Sequence, residues 1–232
     1  MSTHSLTTSA GPNAKRTGSN FAGYGTDAMT VMAWVKTSTD NTTAMVVNIN
    51  DGTTETFQII KVGNNYRFDI VAGGTGVSSS NIAETSIETG SWVHLAATYD
   101  GANVKIFLGG VQQGSNVAKT GNINTANPTR LGIGVRSTGA DLPFVGQIDD
   151  VKVFNIALDA ATIGTYSNDC SFSSTTTGLT GWWKLDNSDS DSQTNITANN
   201  LVSVGSPSFT ADPAFTCSVA SVSASTHLMM GI

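Results

Sequence analysis

Strict two-residue alternation dominates the chain from Thr30 onward. Val31, Ala33 and Val35 fall on one side, and Met32, Trp34 and Lys36 on the other. That period belongs to a strand whose two faces meet different surroundings. Runs of the same kind follow at Ala44–Ile49, Glu55–Lys61, Tyr66–Ala72, Trp92–Tyr99, Asn103–Leu108, Thr129–Val135 and Phe144–Phe154. Turn-forming residues separate them: Asn50-Asp51-Gly52, Gly63-Asn64-Asn65, Asp100-Gly101-Ala102-Asn103 and Gly109-Gly110. Many short strands at this spacing predict an all-β chain folded as a two-sheet antiparallel sandwich. Composition agrees, because Ser, Thr, Asn and Gly fill 101 of 232 positions and only 12% are charged, which suits strands and turns rather than a helical bundle. With 39% hydrophobic residues, including 4 Trp and 9 Phe, the chain can still bury a core.

One helical signal interrupts the strands. In Ala157–Tyr166, Asp159 is placed as a cap, and Ile163 and Tyr166 lie on one helical face. A Ser/Thr linker, 171–177, leads to a second strand-like block at Gly178–Asp186 and Asn200–Val204. A Ser/Val/Ala-rich tail then ends in Leu228-Met229-Met230-Gly231-Ile232.

Charge and the chain ends narrow the choice of partners. The formal net charge of -6 comes with no basic stripe, which argues against nucleic acid. No apolar run reaches the roughly 18 residues of a membrane helix, and Met1–Asn20 lacks the apolar stretch of a signal peptide, so neither membrane insertion nor an N-terminal signal is expected. Cys170 and Cys217 stand outside any C-x-x-C pattern, which speaks against zinc or haem attachment. A Cys170–Cys217 disulfide would close a loop of roughly 47 residues and contribute about 4 kcal/mol; two free thiols in a reducing compartment are the alternative.

Four segments resemble, in order, the laminin-G-like, concanavalin A-like jelly-roll family. Met29–Lys36 looks like an early core strand, and Trp92–Gly101 with Val104–Val111 like the central hairpin. Leu131–Gly134 is similar to the strand that comes next, and Gly146–Asn155 with Ala157-Leu158 resembles the closing strand and helix. The resemblance implies a jelly roll; strand phase predicts that Leu95, Phe107, Ile133, Val151 and Val153 are buried, and the resemblance adds Trp34 to them. One departure stands out: Gly178–Asp186 looks like the segment that opens such a domain, yet here it comes last. It could complete its own sandwich in permuted order, insert into a neighbouring subunit of a homo-oligomer, or begin a second domain. The expected organisation is a jelly-roll body at 1–170, a C-terminal strand block at 171–217 completing the sandwich, and a tail at 218–232 serving as an assembly anchor.

Catalytic chemistry is poorly represented. The histidines are His4, His94 and His227, the glutamates only Glu55, Glu84 and Glu88, and Asp149 and Asp150 are adjacent on a strand and so point to opposite faces. No catalytic residue and no required cofactor are assigned. By alternation Asp149 shares a face with the core residues Val151 and Val153, so its carboxylate needs loop N–H donors or a hard cation. The family resemblance makes a structural calcium at Asp149 one option. Asp186/Asp189/Asp191 and Asn50/Asp51 are also oxygen-rich but suit solvated turns. Of the consecutive Trp182 and Trp183, one must face outward, where it either stacks on a sugar or is covered by the tail or another subunit. The resemblance implies a non-enzymatic binding or structural module. A chain starting at Met1 without a signal suggests a phage or virus surface protein at the virion surface, a capsid decoration or a tail or fibre adhesin meeting protein partners. The alternative is a carbohydrate-binding, lectin-like module of a cell-surface or secreted protein.

Overall fold

The computed structural model describes residues 4–9, 14–17, 21, 26–40, 42–50, 55–123, 130–138, 141–169, 172–186, 201–204, 206–211 and 214. Cys170, Cys217, Asp51, Asp189, Asp191, His227 and the tail 218–232 lie outside them, and with them the disulfide and the anchor. In chain order the strands are β1 (Ser5–Thr8), β2 (Ala14–Thr17), β3 (Met29–Lys36), β4 (Thr43–Asn50), β5 (Glu55–Val62), β6 (Asn65–Ala72), β7 (Thr75–Ser78), β8 (Ile82–Ala83), β9 (Val93–Tyr99), β10 (Asn103–Leu108), β11 (Val111–Ala118), β12 (Arg130–Ile133) and β13 (Gly146–Phe154). Helix α1 (Ala160–Ser167) follows, then β14 (Leu179–Trp183), β15 (Leu201–Val204) and β16 (Ser208–Thr210).

The strands form two antiparallel sheets of a jelly roll. The first runs β11-β10-β9-β3-β13-β1-β16, with β14 also on β13, and the second runs β15-β2-β12-β4-β5-β6-β7, with β8 on β6. Val31, Ala33 and Val35 of the first sheet meet Val47, Ile59 and Phe68 of the second in the main core. Of the residues expected to be buried, Leu95, Phe107, Ile133, Val151 and Val153 are, and Trp34 is not. Trp34 follows the alternation rather than the resemblance: it sits opposite His94 on the outer face of the first sheet, half-buried, and donates Nε1–H to the Ser167 carbonyl at 2.9 Å. Phe107 is buried too, but with Met32 and Ala96 on that same outer face.

A second apolar layer covers that face. Met32, Phe154, Ile163, Phe172, Leu179 and Trp182 pack between the sheet and the segments carrying α1 and the linker. The helix begins where expected, with Asp159 Oδ1 accepting from Thr162 N–H at 2.7 Å. Ile163 is fully buried and Tyr166 packs beside it, so the predicted helical face is the one that docks.

The segment at 178–186 forms β14, which pairs with β13. β14 lies along the second half of β13 (Val151↔Trp183, Lys152↔Trp182), while β1 lies along the first half (Leu6↔Ile148). The two short strands stand end to end beside one long neighbour, and the His4 N–H to Asp186 Oδ1 bond at 3.2 Å ties their junction. β1 and β2 lie in a stretch where no strand is predicted from sequence: four-residue strands are too short for alternation to announce. Gly181, two residues from Trp183 and on its face, leaves room for the indole; a Cβ there would stand 2.5 Å from the ring.

Candidate functional site

β13 carries a bulge that rearranges the predicted site residues. Against β3, Asp149 aligns with Trp34 and Lys152 with Met32, so two residues of β13 oppose one of β3, and Asp150 adopts φ 50°. The extra residue inverts the phase. Val151 stays in the main core, but Asp149, opposite Trp34, lies on the outer face. The expected inward Asp149 is thereby corrected: simple alternation fails across a bulge. Its carboxylate is nonetheless fully buried, and Oδ2 accepts the Ala214 N–H at 2.9 Å, the loop-backbone option.

Asp150, Lys152 and Trp182 form a buried network beneath α1. The Lys152 ammonium bonds to Asp150 Oδ2, Trp182 Nε1–H donates to Asp150 Oδ1 at 2.7 Å, and Lys152 Nζ stands 4.8 Å from the Phe172 ring centre. His94 lies on the same face, 3% exposed; burial, with Lys152 adding to it, pushes its imidazole down to about 3. The imidazole is thereby held neutral and away from solvent. Of the two tryptophans, Trp183 is fully buried in the main core and Trp182 is the outward one, yet only 7% exposed. Phe172 packs edge-on to Trp182 at 4.9 Å and Lys184 Nζ stands 4.4 Å from its ring centre, which leaves its stacking surface covered.

Among the described residues, one group of carboxylates has the spacing of metal ligands: Asp40, Glu84 and Glu88. The fully buried Lys61 occupies its middle, with Nζ at 2.9, 2.7 and 2.7 Å from the three. Burial opposes the charge on Lys61, but the three carboxylates more than offset it and hold its pKa above the ordinary lysine range. An ammonium already stands where a cation would sit, and the cage ties the loops around Asp40 and Glu84 to β5.

The outer face of the second sheet is different. Across β4, β5 and β6, one row of positions facing away from the core is polar in register: Asn48 opposite Gln58, Gln58 opposite Asp69. They link into a ladder. Asn48 Nδ2 donates to Glu55 and Gln58, Gln58 Nε2 donates to Asp69 Oδ2 at 3.1 Å, and Arg67 grips Asp69 at 2.9 and 3.2 Å. Arg136 pairs with Glu55 at 2.8 Å and Asp141 at 2.7 Å. Gly132 lets the 135–137 loop lie against the sheet, since a Cβ there would meet the Val135 carbonyl at 2.5 Å; Ser137 N–H then donates to Asn48 Oδ1 at 2.9 Å. Beside the ladder lies a cleft of about 630 Å³, lined by Glu55, Gln58, Asp69, Ile70, Val71, Gly76, Val77 and Ser78. Fixed amide and carboxylate groups next to aliphatic walls suit a polyhydroxylated ligand. Of these residues only Glu55 stood out in the sequence, as one of three glutamates. The available signal was a polar residue recurring at outward positions on three consecutive strands.

The profile of the family Laminin_G_3, described as the concanavalin A-like lectin/glucanases superfamily, matches residues 9–164. No relative is found among the curated proteins. A solved structure from Bacteroides ovatus, named as a candidate carbohydrate-binding protein, superposes with a TM-score of 0.65 at 15% identity, covering 91% of this chain and 60% of its own. The heptameric SAP-like pentraxin of Limulus polyphemus gives 0.63 at 14% identity, covering 89% and 94%. The CBM40 of the Ruminococcus gnavus IT-sialidase, bound to α2,3-sialyllactose, gives 0.52 at 12%, covering 68% and 96%. At these identities the likeness is one of fold.

Proposed function

The chain belongs to the Laminin_G_3 family of the concanavalin A-like lectin/glucanases superfamily, and on that premise we propose that it is a non-enzymatic carbohydrate-binding module working outside the cell or at a cell surface, with the cleft between Glu55 and Ser78 as its glycan site. The observation that carries this reading is the ladder from Asn48 through Gln58 to Asp69, whose groups are oriented by one another and in which Gln58 and Asp69, with Glu55, border an open cleft. Carbohydrate-binding fold neighbours support it. The non-enzymatic part is supported by the state of the two cleft carboxylates, which are held in ion pairs, Glu55 with Arg136 and Asp69 with Arg67. His94 stands on the other sheet under cover.

The particle-surface setting suggested by composition competes for the same fold. The extracellular or cell-surface setting is preferred because it follows from the carbohydrate-binding neighbours; co-sedimentation of the protein with particles would reverse that preference. No helix among the described residues is long and apolar enough to cross a membrane. Calorimetry against a panel of oligosaccharides tests the glycan site. At least one glycan should bind, and Gln58→Ala should weaken it about tenfold or more through the lost amide contacts while lowering the melting temperature by only a few degrees. A panel without binders, or a Gln58→Ala protein that binds like the parent, overturns the reading.

A further inference from the structure

Charge in the cleft is arranged one-sidedly. Its lining contains the carboxylates of Glu55 and Asp69, and no Lys, Arg or His among the described residues. The two guanidinium groups nearby belong to Arg67 and Arg136, and both are engaged on carboxylates. Arg67 presents Nε and a terminal nitrogen to the two oxygens of Asp69, while Arg136 bridges Glu55 and Asp141. Recognition of an anionic sugar calls for a guanidinium or ammonium fork that the ligand's carboxylate or sulfate can occupy. Here each fork would first have to release its own carboxylate.

The hydrogen-bonding capacity left over is mainly that of acceptors. A carboxylate offers about four lone-pair positions. Asp69 receives Arg67 and Gln58, and Glu55 receives Arg136 and Asn48. The remaining positions suit hydroxyl donors. Val71 and Val77 supply an apolar wall for the C–H face of a ring. From this arrangement we infer that the cleft selects uncharged, hydroxyl-rich sugars and discriminates against glycans bearing sialate, uronate or sulfate groups. The inference deepens the glycan-binding reading and rests on it. It sets this site apart from the sialyllactose-bound module that shares the fold.

The test uses the whole protein and a panel of neutral oligosaccharides, each paired with its sialylated or sulfated counterpart, titrated by calorimetry. Neutral members should bind, and each anionic counterpart should bind at least about tenfold more weakly. Raising the salt should narrow that gap, because the repelling carboxylates are partly exposed and screened. The double variant Glu55→Gln/Asp69→Asn should narrow it as well; since the salt dependence is measured on the parent protein, the inference remains testable if that variant folds poorly. Anionic counterparts that bind as well as or better than the neutral members overturn the charge selection while leaving glycan binding intact. Failure of every member to bind overturns both. Neutral preference that persists unchanged in Gln58→Ala places the binding elsewhere and overturns the assignment to this cleft.

Discussion

The outer faces of the two sheets carry similar side chains in opposite circumstances. On the first sheet Asp149, Asp150, Lys152 and His94 are all buried, Lys152 against Tyr166 and Phe172 and Asp149 against the Ala214 N–H. On the second sheet Glu55, Asp69, Arg67 and Arg136 form ion pairs of comparable length, yet keep between a fifth and a third of their side-chain surface in solvent. A polar group under cover has its partners chosen by the fold and serves stability; one at an open cleft can exchange a water for a ligand. The difference lies in what covers each face, not in the residue types.

That contrast is exposed to measurement, and the largest effect belongs to the covered face. Lys152→Ala strands the Asp150 carboxylate in an apolar layer, and chemical denaturation should show a loss of about 3–5 kcal/mol; a loss below about 1 kcal/mol would mean that this face is as wet as the other.

Acid should act on the same face. His94, at about 3 in the folded protein, returns to about 6.5 on unfolding. The unfolded chain therefore takes up the proton first, so His94 adds no slope above pH 6.5 and removes stability as pH falls from about 6.5 to 3, by up to roughly 4 kcal/mol. His94→Gln should flatten that limb, and a variant with an unchanged acid profile would show that the imidazole is not held neutral.

Two smaller losses follow. Trp182→Phe keeps the ring packing but removes the Nε1–H to Asp150 bond, for about 1–3 kcal/mol. Asp149→Ala leaves the Ala214 N–H without its acceptor and should cost a similar 1–3 kcal/mol. EDTA should leave the melting temperature of the parent protein alone, and a drop on chelation would instead place a calcium ion at that carboxylate.

The smallest stability effect is expected on the open face. Gln58→Ala should cost only about 1 kcal/mol although Gln58 is 8% exposed, because Asn48 keeps Glu55 and Asp69 keeps Arg67 as partners. If it proves as damaging as Lys152→Ala, the ladder is a structural device and the contrast between the faces fails.

Legibility tracked how local each signal was. The alternation in β3, β5, β6, β9 and β10 and the Asp159 cap are set by neighbouring residues, and those elements stand where the pattern puts them, with starts shifted by one or two residues at Val93, Arg130 and Gly146. Asp149 was misplaced because a one-residue bulge leaves no mark in the hydrophobic pattern while inverting every face before it. The cleft was missed for another reason. Asn48, Gln58 and Asp69 are 10 or 11 positions apart along the chain, and only the register of β4, β5 and β6 brings them side by side.

By itself, the sequence determined an antiparallel sandwich of this family with one capped helix, because periodicity, turn chemistry and caps act within a few residues. Only the tertiary structure decided where β14 pairs, which outer face is covered, and whether Trp182 or the carboxylates of Glu55 and Asp69 meet solvent. Those outcomes depend on contacts between residues far apart in the chain. Trp182 lies against Phe172 and bonds to Asp150, 32 positions away, and no local pattern encodes which distant side chain will cover an indole ring or leave a carboxylate open to water.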